Sequence, residues 1–445
     1  MTSPQPPRPL PSTRLAPSAL ASQDAARAAP AARIGWRLAR LTTAPHRLGF
    51  FAAALLMAVS AVWWFVVLWA RETSLALPWA VPPTVAHGMT FALAFMPLFM
   101  IGFLFTAGPR WLGLPDATTE HLVRPVATMV AGWFVTLVGY HADARIAALG
   151  VAIVAAGWIT IQLRFWALLR ASTAADQRHP RAVAVAMGIG ALAMVIGAVA
   201  LAVGHVDHAR AAIQLAIWGF LAPVFTTVSH RMIPFFTASA LPALDAWRPF
   251  WLLNVMLATL AVSALGAVAD VLWWPLPAAA HVVLLAVQGP AALLMLWLAW
   301  RWGVVQSLRI RLLAMLHGGF VWFGLALALA ACSQARVLWL GPEGSLGLAP
   351  LHALTMGYLG CTLIAMITRV AAGHSGRPLA ADNIAWGLYL VVQAAVVLRV
   401  AAALWLAGSV VLTLLAVTAW VVGTGGWALR YGNWLGRPRI DGRPG

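Results

Sequence analysis

The chain has 445 residues, of which 62% are hydrophobic and only 9% are charged, and its mean hydropathy is +0.85. This balance excludes a soluble globular protein of this size and predicts an all-α, polytopic membrane protein. The formal net charge of +17 comes from 29 arginines without a single lysine, and these are dispersed along the chain instead of forming one basic face. Nucleic acid is therefore not an expected partner, whereas the lipid bilayer is.

The first 45 residues differ in kind from the rest of the chain. They are rich in Pro, Ala, Ser and Arg and show no apolar periodicity, so we expect a disordered tail. The first apolar run, Leu48–Ala70, is long enough to cross a bilayer, which favours an uncleaved helix over a signal peptide. The predicted organisation is a tail over 1–45, a membrane domain over 46–430 and a short basic tail over 431–445, with both tails cytoplasmic.

Hydropathy along the chain predicts twelve transmembrane helices. They are expected near 48–70, 86–108, 123–141, 145–169, 181–204, 210–230, 249–271, 278–300, 310–332, 350–371, 383–406 and 409–429. If the N-terminus is cytoplasmic, 24 of the 29 arginines lie in cytoplasmic segments, as the positive-inside rule requires. The arginine distribution thus supports the count of twelve and places both termini in the cytoplasm.

Acidic residues are absent from the middle of every predicted span, since each Asp and Glu lies in a loop or at a span end. A proton-driven carrier usually needs a carboxylate within the membrane. No pairing of two similar halves is visible either, although many transporters are built that way. A twelve-helix secondary transporter is therefore the less favoured interpretation of this architecture.

Six histidines lie in or beside the predicted spans and fall at two levels of the membrane. His87, His281 and His352 open spans on the outer side, and His230, His317 and His374 lie toward the cytoplasmic side. Imidazole is a ligand that haem iron and copper both accept. Three imidazoles at each level indicate metal or haem binding, although span-end histidines are also common as interfacial groups that bind water or headgroups.

The segment Pro350–Leu379 carries one histidine of each level. His352 and His374 are 22 residues apart in the sequence, which is about 33 Å along a helix, against a hydrocarbon thickness of about 30 Å. They therefore cannot bind the same metal. Gly357 would allow a flat macrocycle to approach the helix near His352. Near His374, a basic group could hold propionates, and its arginines are Arg369 and Arg377.

Three segments of this sequence resemble the NnrS-type haem–copper membrane proteins, which are associated with the nitric oxide response in denitrifying and related bacteria. The most distinctive block lies in the tenth span and the turn that follows it. The resemblance covers residues 45 to about 430. The segments are Gly102–Gly113, Arg231–Thr237, and the block made of His352–Gly357, Thr368–Val370 and Gly373–Arg377.

The resemblance implies a protein of the bacterial inner membrane that binds haem, with copper as a second metal, and serves the response or resistance to nitric oxide. Nitric oxide or another small diatomic molecule is the implied ligand, and no protein partner is indicated. The candidate cofactor-binding residues are His87, His352, His317, His374, His230, Arg369 and Arg377. The candidate metal ligands are His87, His352 and His281.

The second span departs from the family pattern. Members of the family typically open this span with His-Ala-His-Glu-Met, whereas this chain reads Val85-Ala86-His87-Gly88-Met89. The first histidine and the glutamate are missing, and His87 is retained. We therefore expect fewer protein ligands at this level, consistent with a divergent subgroup.

Two other functions stay open at the level of sequence. The first is a haem–copper oxidase or reductase subunit, which needs several histidines from different helices within a few ångströms of one another. The adjacent histidine pair and the His-x-x-x-Tyr motif usual in such a centre are absent. The second is the transporter, which ranks below it. The sequence leaves open whether the protein is an enzyme, a sensor or a scavenger.

Overall fold

The computed structural model describes residues 35–442, and this range contains only helices, turns and irregular segments. Twelve of its helices are long and apolar enough to cross a membrane, which confirms the predicted all-α fold and the predicted number of spans. In chain order they are α1 Pro45–Glu72, α2 Pro83–Trp111, α3 Glu120–Ala142, α4 Ala144–Ala171, α5 Arg178–Val203, α6 Val206–Ala240, α7 Phe250–Leu272, α8 Ala278–Arg301, α9 Arg311–Leu340, α10 Pro342–His374, α11 Asn383–Leu404 and α12 Leu406–Leu435.

Two faces of the bundle follow from this count. We call the face at which α1 begins the N-face, and the other the distal face. Because the number of spans is even, α12 ends at the N-face. Several helices are longer than their apolar stretch: α6 continues to Ala240, well past the predicted end at residue 230. Backbone hydrogen bonding continues into the interface after the hydropathy signal has ended.

The two ends of the described chain pack against each other at the N-face. Leu38–Thr42 forms a short 3-10 helix ahead of α1, and the Arg37 N–H donates to the Gly436 carbonyl at 3.0 Å. The buried guanidinium of Arg47 donates to the carbonyls of Leu435 and Arg437, at 2.7 and 2.8 Å. Residues 1–34, for which disorder is predicted, lie outside the described residues.

Glycines allow neighbouring helices to approach closely. A Cβ added at Gly132 of α3 would lie 2.8 Å from the carbonyl oxygen of Gly150 in α4, so these backbones are nearly in contact. In α5, a Cβ on Gly190 would lie 2.5 Å from the ring of Phe220 in α6. Dispersion between closely approaching helices is a main stabilising term within a bilayer.

The most enclosed helices are α2 and α10. In their most apolar stretches 89% and 83% of residues are buried by the rest of the protein, compared with 28% in α7 and 22% in α12. The two central helices therefore carry His87 and His352, while α7 and α12 present most of their surface to lipid. Sequence places these histidines on separate spans; the fold places both spans at the centre.

Three spans contain π-helical segments, in which the hydrogen-bond register widens by one residue. These are Leu215–Leu221 in α6, Ala353–Gly360 in α10 and Val421–Gly425 in α12. The segment in α10 begins directly after His352. Such segments are rare and often occur at functional sites, because they redirect side chains that a regular helix would hold in line.

Candidate functional site

His87 lies in the second turn of α2 near the distal face. Its ring stacks on Trp64 of α1, with centroids 4.2 Å apart and an angle of 21° between the planes. Phe91, one turn later, contacts the other side of the ring at a centroid distance of 4.6 Å. The buried Nδ1 of His87 has no hydrogen-bond partner among the described residues. The imidazole is thus held by aromatic packing, and its Nδ1 is not committed to another protein group.

His352 closes the first helical turn of α10, also near the distal face, and is 9% exposed. Its Nδ1 lies 2.9 Å from the Leu348 carbonyl oxygen. Because a carbonyl only accepts, Nδ1 carries the proton and Nε2 keeps its lone pair. Nε2 makes no hydrogen bond with a described residue. Metal-binding imidazoles are usually fixed in this way, with one ring nitrogen donating to a carbonyl or carboxylate and the other free to bind the metal.

The fold brings these two imidazoles within electrostatic range of each other. His87 and His352 lie close enough to interact electrostatically, and the guanidinium of Arg399 in α11 lies within the same range of both rings. The first turn of α10 packs directly against α11, which accounts for the position of Arg399. We call the group of Trp64, His87, His352 and Arg399 the distal site.

His281, the third histidine expected at this level, is held elsewhere. Its Nδ1 donates to the amide oxygen of Gln334 in α9 at 2.6 Å, and it lies near Asp270 of α7. Within residues 35–442, no three His, Cys, Asp or Glu side chains form a group that could hold a metal ion. The distal level therefore supplies a pair of imidazoles and an arginine, not the three imidazoles that the sequence pattern suggested.

His374 faces a histidine that the sequence analysis did not select. Its ring lies 4.2 Å from that of His46, centroid to centroid, at the N-face. His46 is 3% exposed and opens α1 immediately after Pro45. The position of a histidine at the start of an apolar span was the available signal, because the same reasoning had selected His87 and His352.

His230 of α6 forms a buried pair with His179, the second residue of α5, which the sequence analysis also missed. His179 Nε2 and His230 Nδ1 are 3.0 Å apart, and His230 Nε2 donates to the Pro249 carbonyl at 3.2 Å. That carbonyl fixes the tautomers: His230 accepts at Nδ1, and His179 donates to it. Both ring nitrogens of His230 are therefore used within the protein, which favours a structural role over ligation.

His317 is buried in α9 and has a different partner again. Its Nε2 lies 3.0 Å from the hydroxyl of Thr237 in α6, and its Nδ1 has no partner among the described residues. The three histidines predicted at the cytoplasmic level thus contact three different groups: His46, His179 and Thr237. The structure does not bring their rings together as one ligand set.

The two arginines expected to hold propionates lie against different helices. Arg369 lies over the ring of Phe236 in α6 at 4.1 Å, and Arg377 lies over Trp434 in α12 at 4.2 Å. Arg377 lies beyond the end of α10, where burial lowers its pKa and the guanidinium groups of Arg437 and Arg430 lower it further. Each guanidinium is thus occupied by an aromatic ring of a different span.

Gly357 does not leave space for a macrocycle. A Cβ added there would lie 2.7 Å from Cγ of Trp322 in α9, so the indole already fills this side of α10. The Trp322 N–H donates to the amide oxygen of Gln393 in α11 at 2.8 Å, which fixes the ring. The proposed approach of a macrocycle over Gly357 is wrong, because helix packing uses the missing side chain.

A family model described as NnrS protein matches residues 40–439, nearly all of the chain that the structure describes. The chain belongs to the NnrS family. A search of curated proteins found no match.

Two positions at the start of the second span, where the resemblance led us to expect polar groups, are packed against apolar neighbours in this NnrS-family chain. Val85, at the position expected to be histidine, is 1% exposed within the apolar core. At Gly88, the position expected to be glutamate, an added Cβ would lie 3.1 Å from Ile213 of α6. A longer side chain at position 88 would have to displace that isoleucine.

Proposed function

We propose that this NnrS-family protein binds haem at the distal site and acts in the response or resistance to nitric oxide. His352 would hold the haem iron through Nε2, and His87 would be the second imidazole of the site. One observation carries the proposal: the buried His352 has its tautomer fixed by a carbonyl and keeps its other nitrogen free, and it lies within electrostatic range of His87, whose buried Nδ1 has no partner among the described residues.

The donor set of the distal site fits haem. Haem iron takes one or two ligands from the protein. His352 would supply the first, and His87 would supply the second or give up that position to a small ligand. Bound haem would supply an iron that coordinates nitric oxide or another diatomic molecule. A three-histidine copper centre needs a third imidazole, which the described residues do not bring to this pair. Copper is therefore the less favoured metal in this proposal. If copper binds, we expect it at His281, beside Gln334 and apart from the distal site.

The proposed location is the bacterial inner membrane, with the N-face toward the cytoplasm. The arginine distribution supports this orientation, because 24 of the 29 arginines belong to segments on the N-face. The distal site would then lie near the outer surface of the membrane. Nitric oxide is small and uncharged, so it can reach such a site through the bilayer.

Purification in detergent, an absorption spectrum and metal analysis test the proposal. We expect a Soret band in the wild type and its loss in His352→Ala, with a weakened or shifted band in His87→Ala. His208→Ala is the matched control, since His208 lies on the same face but is exposed. A wild-type protein without a Soret band and without copper would contradict the proposal. Loss of copper with retained haem in His281→Ala would assign the second metal.

A further inference from the structure

Arg399 is a charged residue inside a span without a protein partner. It lies in α11 five residues before the helix ends at Leu404, about 7.5 Å along the axis, and it is half-buried. Within the described chain, it forms no hydrogen bond, ion pair or cation–π contact. By contrast, Arg369 in α10 lies over Phe236. A guanidinium inside the membrane is costly, and such residues usually have a partner or line a functional site.

The groups around Arg399 indicate what kind of partner it lacks. The two neighbouring groups are His87 and His352, which bring no negative charge. All three lie within two turns of the distal end of a helical segment: His87 about 6 Å from the start of α2, His352 about 4.5 Å from Ala349, and Arg399 about 7.5 Å from the end of α11. A cation beside two neutral imidazole donors is the arrangement that recognises a ligand with an anionic group.

We propose that Arg399 binds an anion in the distal site and thereby helps to hold whatever His87 and His352 coordinate. If the anion is part of the haem, this inference rests on the proposed function; if it is a separate anion, it does not. The expected ligand is an anion about the size of a carboxylate, which would accept hydrogen bonds from the guanidinium of Arg399. A guanidinium has up to five N–H donors. The source of the anion is either a carboxylate of the bound haem or a separate small anion that occupies the open coordination position.

The substitutions Arg399→Gln and Arg399→Lys test this proposal in the full-length protein. Removal of an unpaired charge from a span should not destabilise the fold, and an unchanged elution profile and thermal midpoint would show this. Arg164→Gln is the matched control, because Arg164 is also half-buried within a span, α4, and its buried Nε has no hydrogen-bond partner among the described residues. Arg369→Gln tests whether Arg369, which the sequence analysis selected to hold propionates, holds the anion instead.

The first measurement is the rate of haem transfer to an acceptor protein. If Arg399 holds a haem carboxylate, Arg399→Gln should accelerate the transfer at least about tenfold, as expected for the loss of a charge-assisted hydrogen bond. Arg399→Lys should restore part of the loss, and Arg164→Gln should match the wild type. Faster transfer in Arg369→Gln together with an unchanged rate in Arg399→Gln would exclude a haem carboxylate as the anion at Arg399.

The second measurement is the affinity for azide, followed by the shift of the Soret band, with carbon monoxide as the uncharged comparison. If Arg399 holds a separate anion, Arg399→Gln should bind azide about tenfold more weakly and carbon monoxide equally well. Unchanged haem transfer together with unchanged azide affinity would overturn the proposal. If the wild type contains no haem, calorimetric titration with azide separates the two ideas: binding that is lost in Arg399→Gln supports the anion site alone, and no binding to the wild type refutes it.

Discussion

At the scale of single residues, histidines at similar positions differ in what their ring nitrogens contact. His352 donates to a carbonyl through one nitrogen and leaves the other free, whereas His230 uses both in hydrogen bonds within the protein. His281 is held by an amide oxygen of the next span, α9. All three lie near span ends, so the sequence alone could not rank them. The partners come from other helices, and those partners decide which imidazole is available to a metal.

Asp382 is a second residue whose role depends on its contacts. Its carboxylate accepts the Ala385 N–H at 2.9 Å, which caps the start of α11, and it pairs with Arg430 of α12. Burial opposes ionisation here, but the Ala385 N–H and Arg430 outweigh it and hold the pKa of Asp382 below its usual value. The stabilisation is therefore present above the unfolded pKa of about 3.9 and is lost as the pH falls through the lower, folded pKa.

We predict that Asp382→Ala lowers the stability of the protein by about 1 kcal/mol at neutral pH, the usual cost of a lost N-cap. Asp382→Asn should cost less, because the amide oxygen still caps the helix while the ion pair with Arg430 is lost. Thermal unfolding in detergent across pH measures both effects. The difference between the wild type and Asp382→Ala should narrow below about pH 4. A difference that does not change with pH would show that the carboxylate charge plays no part.

At the scale of the elements, the helix count and approximate bounds follow from hydropathy, but the distances between helices do not. The hairpin of α3 and α4 is closely packed where Gly132 lies against Gly150. In α11, by contrast, a Cβ added at Gly387 would meet nothing within 4 Å. Both kinds of glycine look alike in the sequence. Only the neighbouring helix distinguishes a glycine required for packing from one that packing does not need.

Gly150→Ala and Gly387→Ala form a matched pair that tests this difference. A Cβ at position 150 would lie 2.5 Å from the backbone nitrogen of Thr136, so the two helices must separate. We expect Gly150→Ala to destabilise the protein by about 1–3 kcal/mol. Gly387→Ala should be neutral or stabilising by up to about 1 kcal/mol, because alanine favours helix. Equal thermal midpoints for the two variants would contradict the close approach of α3 and α4.

At the scale of the whole molecule, the bundle encloses α2 and α10 and closes at the N-face, where the two chain ends meet. Arg47 joins α1 to the carbonyls that follow α12. The central position of α2 and α10 brings His87 and His352 within range of each other and of Arg399. The distal site is therefore a product of assembly, since two of its side chains come from α1 and α2 and the other two from α10 and α11, at the opposite end of the sequence.

The orientation of the bundle is tested by cysteine labelling in a background with Cys332→Ala and Cys361→Ala. A cysteine in place of Glu343, in the segment before the helical turn of His352, should react with a membrane-impermeant maleimide in intact cells. A cysteine in place of Thr173, between α4 and α5, should react only in inverted vesicles. The arginine bias is the physical reason, because positive loops are retained in the cytoplasm. The reverse labelling pattern would place the distal site in the cytoplasm.

The sequence by itself determined the fold class, the twelve spans and the two levels of histidines. These properties depend on the hydropathy of continuous stretches, which is a local quantity. The tertiary structure decided that His87, His352 and Arg399 lie within electrostatic range of one another. It also decided that His46 and His179 pair with predicted site histidines and that Trp322 fills the space at Gly357. Each of these contacts joins different spans, and the polarity of one span does not specify which side chain of another it will meet.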